Sequence, residues 1–179
     1  MDQSWKFLFL TPAALVSPAY AHDYLSTEQA QKILFPQAEA FEKKIIVLSD
    51  EQREQIKKRS GVRQRSAHPQ VWKAQKKDQL VGWVLLDEVI GKHEYITYAA
   101  GISPEGHIVG VEILSYRETH GGEVRKDSWR SRFKNKTLAD PFKLDQDIPN
   151  ISGATLSCRN LTDGVKRLLV LHQLVLSNG

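Results

Sequence analysis

The stretch Ile151-Ser152-Gly153-Ala154-Thr155-Leu156-Ser157-Cys158 leads directly into a segment of regular apolar spacing, residues 161–176. Apolar residues recur there every three or four positions, which predicts one continuous apolar stripe along the face of an α-helix. The polar residues Lys166, Arg167 and Gln173 fall between them and are expected on the opposite side. The sequence therefore predicts a long C-terminal helix that the chain enters through a short polar loop.

The loop before this helix has the composition of an anion-binding helix entrance. Ser152, Thr155 and Ser157 are candidate capping residues, and Gly153 allows backbone conformations that a side chain resists. Unpaired amides in the first helical turn and the positive end of the helix dipole would stabilise a negative group near the Thr155 hydroxyl. An ordinary capped turn explains the same residues, so both interpretations stay open for this string alone.

Upstream of the loop, the sequence contains runs rich in β-branched and aromatic residues, separated by short polar turns. Short strands joined by such turns predict an antiparallel meander, and the apolar stripe of the long helix needs a packing partner of this kind. The predicted strands are residues 71–74, 80–89, 93–102 and 107–116. The expected fold class is therefore α+β, with an antiparallel β-sheet meander packed against a C-terminal helix and preceded by N-terminal helices.

Residues 22–70 form an N-terminal segment that we predict to be mainly helical. Helix starts are indicated at Ser26, which opens a capping-box pattern, and at Ser49. The first helix should end at Phe35, before Pro36, and the second near Gly61. Between them, residues 41–48 are apolar enough for a strand. Residues 71–179 are expected to form the main functional domain.

Residues 1–21 have the features of an export signal. Lys6 precedes a short apolar run at residues 7–16, and the Ala-x-Ala ending at Ala21 predicts cleavage before His22. The run is shorter than the roughly 20 apolar residues that span a bilayer, and no later stretch is long and apolar enough to be an anchor. We therefore expect a periplasmic or otherwise exported product.

Composition narrows the functional classes. The formal net charge is +4 with basic residues scattered along the chain, which does not indicate a nucleic-acid partner but suits an acidic electron-transfer partner. The single cysteine, Cys158, excludes an internal disulfide and a Cys-x-x-Cys-His haem site, and it is expected to be a buried structural residue. No histidine spacing indicates a metal site, and no phosphate-binding loop or dinucleotide fingerprint is present.

Three patches together resemble the FMN-binding domain family, which includes periplasmic subunits of Rnf electron-transport complexes and of sodium-translocating NADH:quinone reductases. Ser152-Gly153-Ala154-Thr155 followed by Leu156-Ser157 resembles the family's flavinylation motif. Residues 110–114 and then Glu118-Thr119-His120-Gly121-Gly122 resemble its strand and Glu-Thr-Pro-Gly motif. Residues 129–136 resemble its aromatic-bearing helix and Phe-x-x-Lys segment. The patches occur in the family's order within residues 80–176.

The resemblance implies that FMN is esterified through its phosphate to Thr155 by a separate flavin transferase, which uses FAD and magnesium. It also implies that Glu118 and Thr119 hydrogen-bond the edge of the flavin ring. Gly121 and Gly122 would let the backbone approach the ring, although a strand-end turn also explains residues 118–122. The complete cofactor-binding set expected is Ser152, Gly153, Ala154, Thr155, Leu156, Ser157, Glu118, Thr119, Gly121 and Gly122.

Two positions depart from the family pattern. His120 stands where the family usually has proline, and Pro149 stands where an acid is expected three positions before the serine. The nearest acids are Asp147 and Asp145, and a loose loop would be needed to bring Asp147 into place. Trp129 and Phe133, four apart on a short helix, could stack near the flavin or belong to the core.

The functional expectation is an exported flavoprotein that relays electrons between a membrane-bound redox partner and an acceptor, with the redox chemistry supplied by FMN linked to Thr155. Two alternatives remain from the sequence. The first is a reductase that binds FMN non-covalently, and the second is a flavin-free binding or assembly module of the same fold.

Overall fold

The computed structural model describes residues 24–177. The export signal expected in residues 1–21 lies outside this range. Within the described range, no helix has both the length and the apolarity needed to cross a membrane. The helices are α1 (Thr27–Leu34), α2 (Asp50–Ser60), α3 (Asp127–Arg130) and α4 (Thr155–Val175), and the strands are β1 (Ala40–Lys44), β2 (Gln70–Lys76), β3 (Gln79–Ile90), β4 (Tyr95–Ile102) and β5 (Ile108–Tyr116).

The strands form one five-stranded antiparallel sheet in the order β1-β2-β3-β4-β5, which confirms the predicted meander. The strand predicted at residues 41–48 is wrong at its C-terminal end, because β1 stops at Lys44. Lys44 lies opposite Val71 near the start of β2, so Ile45 and Val47 have almost no strand left to pair with and are 93% and 65% exposed. The described residues 24–69 thus contribute a strand and two helices that pack with the elements of residues 70–177.

The sheet is covered on both faces. Helices α4 and α2 pack together over one face, and α1 packs on the other. Strand β4 shows the alternation that this requires: Ile96, Tyr98 and Ala100 belong to the core under α4, whereas Ala99 meets Leu34 in the core under α1. The expectation that the C-terminal helix covers the meander is therefore confirmed.

Helix α4 begins six residues earlier than the apolar spacing indicated, at Thr155. The expectation that Ser152, Thr155 or Ser157 caps this helix is wrong, because no side chain caps it and Ala154 occupies the N-cap position. The chain instead enters the helix through a turn closed by a hydrogen bond from Ala154 N to Ile151 O (2.9 Å), with Gly153 at φ +79°.

Arg167 lies in the core of the contact between α4 and the sheet, so its placement on the polar side of the helix was also wrong. Its side chain is buried, and Nη2 pairs with the Asp87 carboxylate. The same carboxylate oxygen accepts a hydrogen bond from the Tyr98 hydroxyl (2.8 Å). Arg167 Nη1 donates to the Arg63 carbonyl (2.9 Å). These partners compensate the charge of the buried guanidinium, whereas its Nε has no hydrogen-bond partner among the described residues.

The end of β3 explains why polar residues of α4 are turned inward. Strand β2 begins opposite Leu86, so residues 87–90 of β3 have no strand on that side. Side chains of α4 supply donors there instead: Asn160 Nδ2 donates to the Ile90 carbonyl (2.7 Å) and Arg167 Nη2 approaches the Glu88 carbonyl (3.4 Å). The helix thus satisfies backbone acceptors that a further strand would otherwise pair.

The loop that leads into α4 is held by Asp147. Its carboxylate accepts hydrogen bonds from the amides of Phe142 (3.1 Å) and Lys143 (2.7 Å) and pairs with Lys136 Nζ (2.9 Å). Partial burial by itself raises the pKa of the Asp147 carboxyl, but Lys136 and the two amides outweigh it and hold the pKa below its usual range. This loop is therefore fixed several residues before the Ser152-Gly153 turn.

Replacing Gly164 with alanine should destabilise the fold by obstructing the contact between α4 and the sheet. A Cβ at this position would stand 2.5 Å from Tyr98 Oη and 2.8 Å from Val89 Cγ1. Overpacking of this kind costs about 1–3 kcal/mol, which exceeds the helix-propensity gain of about 1 kcal/mol from replacing glycine. Urea unfolding measures the difference. The exposed position Arg159 on the same helix is the control, where alanine should change the free energy of unfolding by less than about 0.5 kcal/mol.

Replacing Asp147 with asparagine should lower the free energy of unfolding by about 1–3 kcal/mol at pH 7, because charged hydrogen bonds are lost in a partly buried site. Since the folded pKa is depressed, the carboxylate stabilises the fold above the unfolded pKa of about 3.9, and this contribution is lost as the pH falls below it. Thermal unfolding from pH 7 to pH 3 should therefore show the two proteins converging. Asp145→Asn, at an exposed position two residues away, should leave the melting temperature nearly unchanged, and equal effects of both variants would contradict this role.

Candidate functional site

A cleft of about 510 Å³ lies at the end of the sheet where α4 begins. Its walls come from three parts of the chain: the first turn of α4 with the residues before it, the loop after β5, and the turn between β3 and β4. The lining residues are Lys92, His93, Glu118, Thr119, His120, Gly153, Ala154, Thr155, Leu156 and Ser157. Seven of the ten residues expected in the cofactor site on sequence grounds thus meet in one cleft.

The first turn of α4 presents unpaired backbone donors to this cleft. The first helical hydrogen bond runs from Cys158 N to Ala154 O (2.9 Å), so the amides of Thr155, Leu156 and Ser157 precede it. Thr155 is partly exposed and the Leu156 side chain is 45% exposed, whereas Ser157 is buried. The entrance of a helix of 21 residues therefore offers amides, a hydroxyl and an apolar side chain side by side.

The loop after β5 contributes Glu118, whose carboxylate faces the β3–β4 turn. Glu118 Oε1 accepts hydrogen bonds from the amides of His93 (2.6 Å) and Glu94 (3.0 Å). Partial burial by itself raises the pKa of the Glu118 carboxyl, but the backbone amides of Glu94, His93 and Lys92 outweigh it and hold the pKa below its usual range. This oxygen is thus already engaged with the protein backbone.

Gly121 joins the loop after β5 to the helix entrance. A Cβ at this position would stand 2.1 Å from Ala154 Cβ and 2.7 Å from Tyr116 Oη, and the backbone has φ +83°. Only glycine fits both the conformation and the space. The Tyr116 hydroxyl donates to the His120 carbonyl, which ties the loop back to β5. The two main walls of the cleft are therefore in direct contact.

Three of the expected residues lie outside the lining of the cleft. Gly121 packs beneath it against Ala154, Gly122 opens a 3-10 turn (Gly122–Arg125), and Ser152 is exposed in the turn before Gly153. Trp129 and Phe133 are core residues: their rings meet edge to face at 5.2 Å between centroids, and both are buried.

Pro149, which stands where the family has an acidic residue, makes a backbone hydrogen bond in place of a carboxylate contact. The carbonyl of Pro149 accepts a hydrogen bond from Trp129 Nε1 (2.8 Å). Asp147 does not replace the missing acid, because its carboxylate is bound to Lys136 and to two amides of its own loop. The loose loop that would bring Asp147 into place is therefore not present.

Lys92 and His93 are cleft residues that sequence reasoning missed, because the pattern predicts only a turn at residue 92 and a strand from residue 93, whereas β4 begins at Tyr95. The meander itself contained the signal. In an antiparallel meander, the β3–β4 turn and the C-terminal end of β5 lie at the same end of the sheet. Here Ile96, near the start of β4, lies opposite Tyr116 at the end of β5. The β3–β4 turn is therefore close to the residues that follow β5.

Cys158 is buried in the first turns of α4, which confirms the structural role expected for it. Burial raises the pKa of its thiol, so the reactive thiolate form is disfavoured at neutral pH. Among residues 24–177, no group of three or more His, Cys, Asp and Glu side chains is arranged to hold a metal ion.

Comparison with known proteins gives a family match over the part of the chain that forms this cleft. A family model described as the FMN-binding domain matches residues 91–170, a range that includes every residue lining the cleft. One subunit of the proton-translocating ferredoxin:NAD(+) oxidoreductase complex of Clostridium ljungdahlii is 32% identical over 101 residues, covering 52% of this chain and 54% of the relative. The corresponding subunit of the ion-translocating oxidoreductase complex of Stutzerimonas stutzeri is 29% identical over 111 residues, covering 56% and 49%.

The chain thus spans about half the length of these curated relatives. Among solved structures, the crystal structure of Shewanella oneidensis NqrC shares the fold, with a TM-score of 0.54 over 77% of this chain and 81% of that chain, at 18% sequence identity. At this identity the likeness concerns the fold alone. The sequence motifs and the cleft both lie within residues 91–170, the range of this chain that matches the FMN-binding domain family.

Proposed function

We propose that this protein is an exported electron carrier that holds FMN through a phosphoester bond to Thr155 and relays electrons between a membrane-bound redox partner and an acceptor. The observation that carries the proposal is the position of Thr155. It is the first residue of α4, beside amides without helical partners and within the cleft of the FMN-binding domain.

The residues of the cleft fit an FMN group. Its volume of about 510 Å³ falls within the range of about 300–1,000 Å³ that is usual for small-molecule sites. The amides of the first turn of α4 and the Lys92 side chain suit a phosphate, because both favour negative charge. Leu156, which is 45% exposed, offers an apolar contact for a flat ring. Glu118 and Thr119 complete the polar lining.

Bound FMN would supply the redox chemistry, because the chain carries no recognisable nucleophile and base pair of its own in the cleft. The protein would hold and orient the group. The Thr155 hydroxyl would provide the ester oxygen, the amides of Leu156 and Ser157 would hold phosphate oxygens, and the backbone of the loop after β5 would border the ring. A tether also removes dissociation, which matters outside the cytoplasm where free FMN is scarce.

The names of the relatives support a role within a membrane-associated electron-transfer system. Both curated relatives are subunits of ion- or proton-translocating oxidoreductase complexes. We infer from this a membrane-bound redox partner for the present chain, and a flavin transferase for its maturation. Export rests on the signal pattern of residues 1–21, whose Ala-x-Ala ending predicts cleavage after Ala21.

One observation favours an alternative in which the same cleft binds FMN without a covalent bond, as in a small flavin reductase. Pro149 stands at the position of the family's acid, and Asp147 is held away by Lys136. If a transferase needs that acid, the chain would bind FMN but not be modified. Denatured protein distinguishes the two cases, because only ester-linked FMN remains fluorescent with the chain on a gel run after acid treatment.

Thr155→Val should abolish covalent flavinylation when the chain is exported together with a flavin transferase. Valine has nearly the shape of threonine but no hydroxyl, so the ester cannot form while the helix entrance is retained. Intact mass measures the result: the wild-type chain should gain the mass of FMN less one water, and the variant should gain nothing. Thr97→Val is the control, since it removes a threonine hydroxyl on β4 that lies outside the cleft and should leave the mass gain unchanged.

The same measurement separates the proposal from its alternatives. Full flavinylation of the Thr155→Val protein would exclude Thr155 as the residue that is esterified to FMN. A wild-type chain that binds FMN reversibly but never gains mass would support the non-covalent alternative. A wild-type chain without any flavin, by mass and by visible spectrum, would support a flavin-free binding or assembly module.

A further inference from the structure

The turn between β3 and β4, residues 91–94, is built around the carboxylate of Glu118. Glu118 Oε1 accepts hydrogen bonds from the amides of His93 (2.6 Å) and Glu94 (3.0 Å), and the Lys92 amide helps these two to hold the pKa of the carboxyl below its usual range. Gly91 closes the turn through a hydrogen bond from its amide to the Glu94 carbonyl (2.7 Å). Consecutive amides around one anion form the kind of concave nest that binds negative groups.

Gly91 shows how closely the turn encloses the carboxylate. A Cβ at this position would stand 2.4 Å from Glu118 Oε1 and 3.0 Å from Glu118 Cγ. Gly91 is also buried, so a larger residue would push the carboxylate away from its amides. The sequence of the turn and the side chain of Glu118 therefore fit each other.

The consequence of this contact is the position of Lys92 and His93. Both residues line the cleft, together with the first turn of α4. The backbone that carries them is held by an anion from the loop after β5, more than twenty residues away along the chain. Glu118 therefore acts on the cleft through the turn.

We propose that Glu118 is a positioning residue that holds the β3–β4 turn in place, so that the Lys92 ammonium faces an anionic group of bound FMN. The assignment rests on the proposed function and adds the source of the positive charge opposite the helix entrance. Lys92 complements α4, whose unpaired amides contribute only partial charges.

The anionic group can be the phosphate or the reduced isoalloxazine ring, and two measurements distinguish them. A cation beside the phosphate strengthens binding of FMN but not of riboflavin, which lacks the phosphate. A cation beside the ring stabilises the reduced, negatively charged form and raises the midpoint potential of the flavin. In either case, both Lys92→Met and Glu118→Ala should act in the same direction.

The chain offers a matched control at the opposite end of the sheet. Glu39 Oε2 accepts a hydrogen bond from the Lys77 amide (3.2 Å) in the turn between β2 and β3. This is the same kind of contact, a glutamate carboxylate on a turn amide, but neither residue lines the cleft. Glu39→Ala should therefore leave flavin binding and the flavin potential unchanged.

The experiment compares wild type, Lys92→Met, Glu118→Ala, Glu118→Gln, the Lys92→Met/Glu118→Ala double variant and Glu39→Ala. The unmodified chains are titrated with FMN and with riboflavin by fluorescence, and the midpoint potential is measured on flavinylated chains. We expect Lys92→Met and Glu118→Ala each to weaken FMN binding about tenfold, the scale of one charge contact, or to lower the potential. The double variant should add little, because both changes remove the same cation. Glu118→Gln, whose amide oxygen can still accept hydrogen bonds, should recover most of the effect.

Hydrogen exchange of residues 92–94 in the unmodified chain gives a readout without flavin. Exchange should become faster in Glu118→Ala and remain as in wild type in Lys92→Met, which shows that Glu118 acts on the backbone and Lys92 does not. FMN binding and potential that match wild type in both Lys92→Met and Glu118→Ala would overturn the assignment while leaving the proposed function intact. A wild-type chain that neither binds FMN nor becomes flavinylated would overturn the proposed function and this assignment with it.

Discussion

The buried pair between Arg167 and Asp87 fixes the position of α4 on the sheet, and the cleft depends on that position. The pair joins the middle of the helix to the end of β3, with Tyr98 of β4 as a third partner. A buried ion pair adds little net stability over apolar packing, but a mismatched arrangement leaves an unpaired charge in the core and is costly. The pair therefore selects one register of the helix over alternatives that apolar packing alone would allow. Gly164, one turn earlier, permits the close approach to Tyr98.

This register places the first turn of α4 at the end of the sheet where β3 turns into β4 and where β5 ends. In an antiparallel meander, every second connection lies at the same end of the sheet. Residues far apart in sequence therefore meet there without any long crossover. Two contacts join the walls of the cleft at that end: Gly121 packs against Ala154, and the Glu118 carboxylate accepts hydrogen bonds from the amides of residues 93 and 94. The cleft is thus formed by the ends of a rigid scaffold, as is common for functional sites.

The sequence predicted the features that depend on local pattern, such as the strand alternation, the capping box at Ser26 and the helix start at Ser49. It failed where tertiary contacts override local preference: Arg167 looked polar and exposed, but an unpaired strand edge and a buried carboxylate draw it inward. The residues of the candidate site likewise fall into those that the sequence predicted and those that it did not. Thr155 and Glu118 could be selected because their order matches the family, and the structure brings both into one cleft. Lys92 and His93 in the β3–β4 turn could not be selected. Nothing local in the sequence Gly-Lys-His-Glu shows that its amides will bind a glutamate more than twenty residues later.

The surroundings of the Ser152-Gly153 turn constrain how any modifying enzyme could act on this chain. The turn is exposed, and a Cβ at Gly153 would meet nothing within 4 Å. Its flanks are fixed, on one side by the hydrogen bond from Trp129 to the Pro149 carbonyl and on the other by the contact between Ala154 and Gly121. A transferase that acts on the folded protein would therefore meet a projecting turn of defined shape. In such a turn, backbone conformation can be recognised even though Pro149 offers no carboxylate.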